Sequence, residues 1–250
     1  MKLILTCCLL AFFVVTPSVG FCETITVSTI DWCPFICPSS SERPGLLVEY
    51  TRAAYEKAGY KVEFKDYPWT RAVKNVESGK TDAVLAPSKS EAPSLVYPEA
   101  EIGVQRFCFF SLQEDSWKYE KPESIINRRI LHPQDVLPEE LGEYKNKANL
   151  KSLPYNSNYL KQTTTMLQKG RTESVLMTYY SMIDYLNKNN LADKIKLSGC
   201  VSSAKLYLAF SPVPEKKKRN EKIITAFEKG IKELKKEDFF KKLLVKYKLD

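Results

Sequence analysis

A single histidine, His132, stands among the 250 residues. That scarcity excludes histidine-based metal clusters and makes any Ser-His-Asp triad depend on one side chain. Glycine is sparse as well, at nine residues, and no phosphate-loop or dinucleotide glycine motif occurs. With only 14 Pro besides, the chain is neither low-complexity nor fibrous. Past the first 22 residues no apolar run approaches the ~20 residues of a membrane-spanning helix, so the chain is not polytopic. What is present is a globular composition, 44% apolar and 27% charged. The length suits one large domain or two lobes of about 100 residues each. A formal charge of +8 spread over both signs predicts a soluble surface and names no partner.

Residues 1–22 read as a secretory signal peptide. Lys2 gives a short positive start, Leu3 to Val15 is apolar apart from Thr6, and Pro17, Ser18 and Gly20 supply the small and helix-breaking residues before a cleavage site after Gly20 or Cys22. Phe21 before Cys22 fits a lipoprotein signal poorly. Removal of this segment takes away one positive charge, so the basic balance belongs to the exported part.

Export turns four remaining cysteines, Cys33, Cys37, Cys108 and Cys200, into candidates for two disulfides. Three connectivities are formally possible. Cys33 and Cys37 share one tight Cys-Pro-Phe-Ile-Cys segment, and the pairing that keeps them together joins Cys108 to Cys200. Three intervening residues, where catalytic dithiols have two, argue for a structural bond.

The mature chain alternates short strands and helices. Strand Thr24 to Ile30, helix Leu46 to Ala58, strand Lys61 to Tyr67, helix Trp69 to Ser78 and strand Asp82 to Ala86 form a βαβαβ unit. A long strand, Glu101 to Leu112, follows. The pattern then restarts: strand Arg128 to His132, a helix near Pro138 to Asn146, strand Leu150 to Leu153, helix Ser157 to Lys169, strand Ser174 to Met177 and helix Tyr179 to Asn189. Strands Ile195 to Cys200 and Lys205 to Ser211 and a helical tail over 215–247 close the chain. Two α/β units with long strands between them imply a chain that crosses over and returns. A Cys108–Cys200 bond would staple the crossing segments near a hinge.

In order and spacing, several fragments resemble the family 3 extracellular solute-binding proteins of ABC uptake systems. They are Trp-Cys-Pro-Phe (32–35), Pro-Trp-Thr-Arg-Ala (68–72), Glu-Ser-Gly-Lys-Thr-Asp-Ala-Val (77–84), Tyr-Pro-Glu (97–99), Lys-Gly-Arg (169–171), Leu-Tyr-Leu-Ala-Phe-Ser-Pro (206–212) and Leu-Leu-Val-Lys-Tyr (243–247). The resemblance implies a bilobal periplasmic-binding-protein-like fold of type II, two α/β lobes joined by two hinge strands with a ligand in the cleft between them. Lobe 1 is expected over 23–107 plus 206–250 and lobe 2 over 108–205. It further implies a monomer in a Gram-negative periplasm, a small-molecule ligand, a membrane permease or receptor as partner, and no cofactor, metal or catalytic residue.

By the same resemblance Trp32 and Trp69 are aromatics that line the ligand site, a clamp suited to a flat or cationic ligand. Arg71, close by in sequence, is a candidate carboxylate clamp, and Ser88 a hydroxyl donor. Two departures stand out. Amino-acid-binding members carry an Arg for the ligand carboxylate in the turn after the third strand, but Ala86 to Ser94 has none. Their Asp for the ligand amine corresponds here to Thr178. A buried zwitterion lacking both partners would pay several kcal/mol. Lys89 and Arg71 are the cations at hand to replace the missing Arg, which leaves an anion or a modified amino acid open.

Other classes fare worse. Glu91 and Asp135 are candidate acid-base groups for an exported enzyme on this scaffold, but nothing pairs them. The Lys216-Lys217-Lys218-Arg219 run and the lysines beyond it alternate with Glu221, Glu228, Glu233 and Glu237 on a helix whose apolar face holds Ile223, Phe227, Ile231 and Leu234. This is the pattern of a solvated helical face, and export argues against nucleic acid.

Overall fold

The computed structural model describes residues 23–38, 41–134 and 136–249; the expected signal peptide and Asp135 lie outside them. The first α/β unit runs β1 (Thr24–Thr29), α1 (Leu46–Glu56), β2 (Lys61–Asp66), α2 (Trp69–Glu77) and β3 (Ala83–Leu85). Its strands pair in parallel in the order β2-β1-β3. The second unit repeats the arrangement with β5 (Arg129–Pro133), β6 (Asn149–Leu153), α3 (Tyr159–Gln168), β7 (Ser174–Thr178) and α4 (Tyr179–Lys188), its parallel strands in the order β6-β5-β7. The fold is thus two α/β lobes, each with a right-twisting parallel core that needs cover on both faces.

Between the units run β4 (Gly103–Leu112) and β8 (Ile195–Leu206), antiparallel to each other along their whole length, with β4 also pairing antiparallel to β7. Leu206 then leads into β9 (Leu208–Phe210), which joins β3 and completes the first sheet. Two long strands therefore carry the chain out of one lobe and back. The sequence pattern places separate strands at Ile195 to Cys200 and Lys205 to Ser211, with 201–204 between them. One strand instead runs unbroken from Ile195 to Leu206, and the register shifts beside Phe107/Cys108 and Phe109/Phe110 take up Val201 and Ser198. Cys108 and Cys200 face each other across it, bonded with Cα atoms 3.8 Å apart, and Cys33 is bonded to Cys37.

Helix α1 packs on α5 (Lys217–Lys236), and α6 (Phe239–Tyr247) closes over both. Leu46, Leu47, Tyr50 and Ala54 of α1 and Ile223, Phe227, Ile231 and Leu234 of α5 are buried together, as their spacing predicts. The helices meet so closely at Gly230 that a Cβ there would lie 2.0 Å from the Ala54 carbonyl oxygen. Asp238, at φ 51°, divides the expected helical tail into α5 and α6. The helix expected near 138–146 is a pair of tight 3-10 turns, Glu139–Asn146, interrupted at Gly142, whose φ of 53° and ψ of −140° no α-helix contains.

The basic run at the start of α5 departs from a purely solvated face. Lys216 Nζ and Arg219 Nη1 reach the buried Asp82 carboxylate at 3.0 and 2.6 Å, and the Thr26 amide donates to its other oxygen at 2.9 Å. Burial alone would raise the Asp82 carboxyl; the Thr26 amide, Lys216 and Arg219 outweigh it and hold the group below the usual carboxylate range. A carboxylate depressed in the folded state contributes stability above its unfolded value, and that contribution is lost as pH falls through the folded value. Asp82→Asn is expected to cost about 1.5–3 kcal/mol at neutral pH. Urea titrations of both proteins should show the difference shrinking with acidification once wild-type Asp82 is itself protonated.

A second prediction concerns the helix contact. Gly230→Val should destabilise by roughly 1–3 kcal/mol or more through overpacking, read as a lowered urea midpoint with an unchanged denaturant slope.

Candidate functional site

The carboxyl ends of all six parallel strands point toward one cavity of about 1150 Å³. Beyond β1 come Asp31 and Trp32; beyond β2, Asp66 to Trp69; beyond β3, Ala86, Ser88 and Glu91. The facing wall holds Pro133 and the 136–140 segment after β5, Tyr155 after β6, and Met177 and Thr178 at the end of β7. Gln105 and Phe107 of β4 and Ser202, Ser203 and Ala204 of β8 form the back. Crevices beyond the carboxyl ends of strands are where open α/β sheets take their ligands.

Four of the five ligand-site candidates from the sequence, Trp32, Trp69, Ser88 and Thr178, line this cavity together. Arg71 does not. Trp69 opens α2, and a residue two positions later is turned about 200° around the helix, which leaves Arg71 exposed on the opposite side. Trp32 serves two ends at once. Only 8% exposed, it packs edge-on against Phe35 at 4.8 Å and is held by paired backbone hydrogen bonds with Ile36, while still contributing to the wall. The disulfide loop and Gly45 fix this turn: Gly45 has φ 111°, and a Cβ on it would lie 2.5 Å from the Phe35 carbonyl oxygen.

The loop after β3 is tied down by its own side chains. Ser88 is buried, and both its amide and its hydroxyl donate to one Glu91 carboxylate oxygen, Oε2, at 2.8 and 2.7 Å. The Tyr97 hydroxyl contacts the Ser88 and Ala92 carbonyls at 2.9 Å. Lys89 is drawn away from the cavity, its ammonium 5.1 and 5.8 Å from the ring centres of Tyr207 and Tyr97. Glu91 is thus spent on the loop and has no acid-base partner there. On the facing wall Thr178 occupies the N-cap position of α4, yet its hydroxyl makes no capping bond. That hydroxyl is buried and without a hydrogen-bond partner among the described residues.

His132 is half-buried, its Nδ1 at 2.9 Å from the Pro133 carbonyl and 3.3 Å from that of Val136, and it is not among the cavity residues. The third tryptophan, Trp117, belongs to the second lobe's interior, where the Arg128 guanidinium covers it at 3.9 Å. Across the cleft, Ser181 of α4 donates to the Cys33 carbonyl at 3.0 Å, and Tyr180 meets Phe35 edge-on at 5.2 Å. These contacts join the lobes beside the cavity.

Sequence reasoning passed over Asp31, Asp66, Tyr155, Glu139, Glu140 and the back-wall residues. Asp31 adjoins Trp32 and Asp66 ends β2, so following each strand to its carboxyl end would have reached them. Partial burial and the nearby Asp66 charge raise the Asp31 carboxyl, and the Tyr155 hydroxyl is pushed up to about 12 by desolvation and by Asp31. A carboxyl raised by folding loses stability as pH rises through its folded value. Asp31→Asn is therefore expected to raise the melting temperature at neutral pH. That gain should vanish below the ordinary carboxylate range of about 4, where both proteins carry a neutral group; differential scanning fluorimetry over pH reads it.

No protein-family model matches the sequence, and no curated protein matches it. Solved structures do match the fold. The probable amino-acid ABC transporter extracellular-binding protein YtmK from Bacillus subtilis superposes with a TM-score of 0.73 at 21% identity, over 91% of this chain and 98% of that one. The L-cystine solute receptor of Neisseria gonorrhoeae, in its unliganded open conformation, gives 0.67 at 22% identity over 91% and 93%. A histidine kinase sensor domain with similarity to periplasmic binding proteins gives 0.67 at 19% identity over 90% and 95%. The chain shares the bilobal periplasmic-binding-protein-like fold of type II with these proteins. Among its described residues no helix is long and apolar enough to cross a membrane.

Proposed function

We propose that this chain is an exported solute-binding protein of the family 3 type, which captures a small molecule between its lobes and passes it to a membrane permease. Lobe 1 comprises residues 23–107 and 206–250, lobe 2 residues 108–205, and the chain acts as a periplasmic monomer without cofactor. The observation that carries this reading is the convergence of six strand ends and both crossing strands on one cavity rich in aromatic rings and hydroxyls. Trp32 and Trp69 line one side, and Thr178, its hydroxyl buried and unpartnered among the described residues, lines the other. Such a wall suits binding and enclosure, and its hydroxyl–carboxylate contact, Ser88 to Glu91, ties down the loop after β3.

Capture requires the lobes to close by bending of β4 and β8. A second reading, a ligand sensor without a transport role, draws on the sensor domain that shares the fold. Both readings expect a saturable ligand that lowers the radius of gyration in X-ray scattering. Trp69→Ala should weaken that ligand by about 2 kcal/mol, roughly 30-fold in Kd, whereas Arg71→Ala should leave the affinity unchanged. A scattering profile that stays fixed under every small molecule tried would remove the reading. Calorimetry with the two variants then assigns the wall.

A further inference from the structure

The cavity has a charge sign of its own. Asp31, Asp66, Glu91, Glu139 and Glu140 line it, and among the described residues no Lys, Arg or His does, in a chain whose formal charge is +8. Asp31, Asp66 and Glu91 lie on the first lobe's wall and Glu139 and Glu140 on the second's, so closure brings like charges toward one another. The cations nearest in sequence are directed elsewhere: Lys65 to Glu63 at 3.5 Å, Lys89 to the Tyr97 and Tyr207 rings, Arg106 to the Tyr179 ring at 4.1 Å, Lys205 to Glu101 at 3.7 Å, and Arg71 to solvent.

The first lobe's ready-made anion donors are also taken. The Ser88 amide and hydroxyl converge on a single point, as donors to a ligand carboxylate would, and Glu91 Oε2 already sits there. What the lining supplies is the complementary set: the rings of Trp32, Trp69 and Tyr155, the Asp31 carboxylate, the Asp66 carboxylate with one oxygen already accepting from the Thr29 hydroxyl at 2.6 Å, and the buried, unpartnered Thr178 hydroxyl as an acceptor for an N–H. Among the described residues no three acids, thiols or imidazoles gather as metal ligands do. Building on the solute-binding reading above, we infer that the ligand is a small organic cation bearing no carboxylate, an amine or guanidine that lies between the aromatic walls and offsets the acids of both lobes. Asp31, held up by burial and by Asp66, is the group a bound cation relieves most directly.

Matched pairs that differ only by a carboxylate test this: agmatine against L-arginine, cadaverine against L-lysine, tyramine against L-tyrosine, with succinate as the anionic control. Calorimetry on the full mature chain should give, for at least one pair, an amine bound about tenfold or more tighter than its parent amino acid. That affinity should fall with added salt and with Asp31→Asn. Glu91→Ala, a change at an exposed side chain, frees the Ser88 donors and should narrow the gap by strengthening the carboxylate-bearing member. Tighter binding of a parent amino acid or of succinate overturns the inference and leaves the solute-binding reading standing. Absence of binding by every probe also overturns it, and the scattering experiment then decides the solute-binding reading separately. A gap unchanged in Glu91→Ala removes the role assigned to that carboxylate.

Discussion

The antiparallel pairing of β4 with β8 is the contact on which the rest of the molecule depends. Each strand belongs to the second sheet, yet both continue toward the first, and β8 leads through Tyr207 directly into β9. Neither lobe can be placed without this ladder, because it is the covalent route out and the covalent route back. Its side chains also form the rear of the cavity, so the same backbone that joins the lobes sets how far apart their strand ends stand. Antiparallel strands with side chains alternating across the ladder can present Gln105 and Phe107 to the cleft while burying Cys108 and Phe110 in the second lobe's core.

Around that ladder the lobes are stabilised in different ways. The first is closed by a helix that arrives from the far end of the chain, and the Asp82 cluster joins β1, the start of β3 and α5 through charges that only the full-length chain brings together. Hydrophobic burial under α1, α5 and α6 does the larger share of the work, with ion pairs fixing where the helix lands. The second lobe has no such late-arriving helix. It relies on α3 and α4 over one sheet face and, over the other, on the 117–119 link, where Trp117 and Tyr119 pack on Phe109.

Much of the fold was legible in the sequence because its signals are local. Alternating β-branched strands, helical spacing in 46–58 and 217–234, and glycine stops need no tertiary knowledge. The misses came where tertiary contact overrides local chemistry. The 201–204 stretch lies between two expected strands until β4 pairs with it, and Lys216 and Arg219 look solvated until the buried Asp82 claims them. In the cleft, Trp32 and Trp69 were legible through the motifs that surround them, whereas Tyr155 follows β6 in a stretch without such a motif. The acids were not, because a carboxylate at a strand end is ordinary until the facing lobe supplies others. Arg71 lies outside the cavity for a purely angular reason: two positions after Trp69 is about 200° around the same helix.

The Cys108–Cys200 bond joins the two crossing strands at a directly opposed pair, so they cannot slide past one another. Both cysteines lie in the second sheet, with Cys108 fully buried in that lobe's core. The bond therefore anchors the crossing strands at their second-lobe root, and the stretch left to flex runs from Phe107 and Ser202 out to Gly103 and Leu206. In effect the cross-link sets the length of the lever between the two sheets.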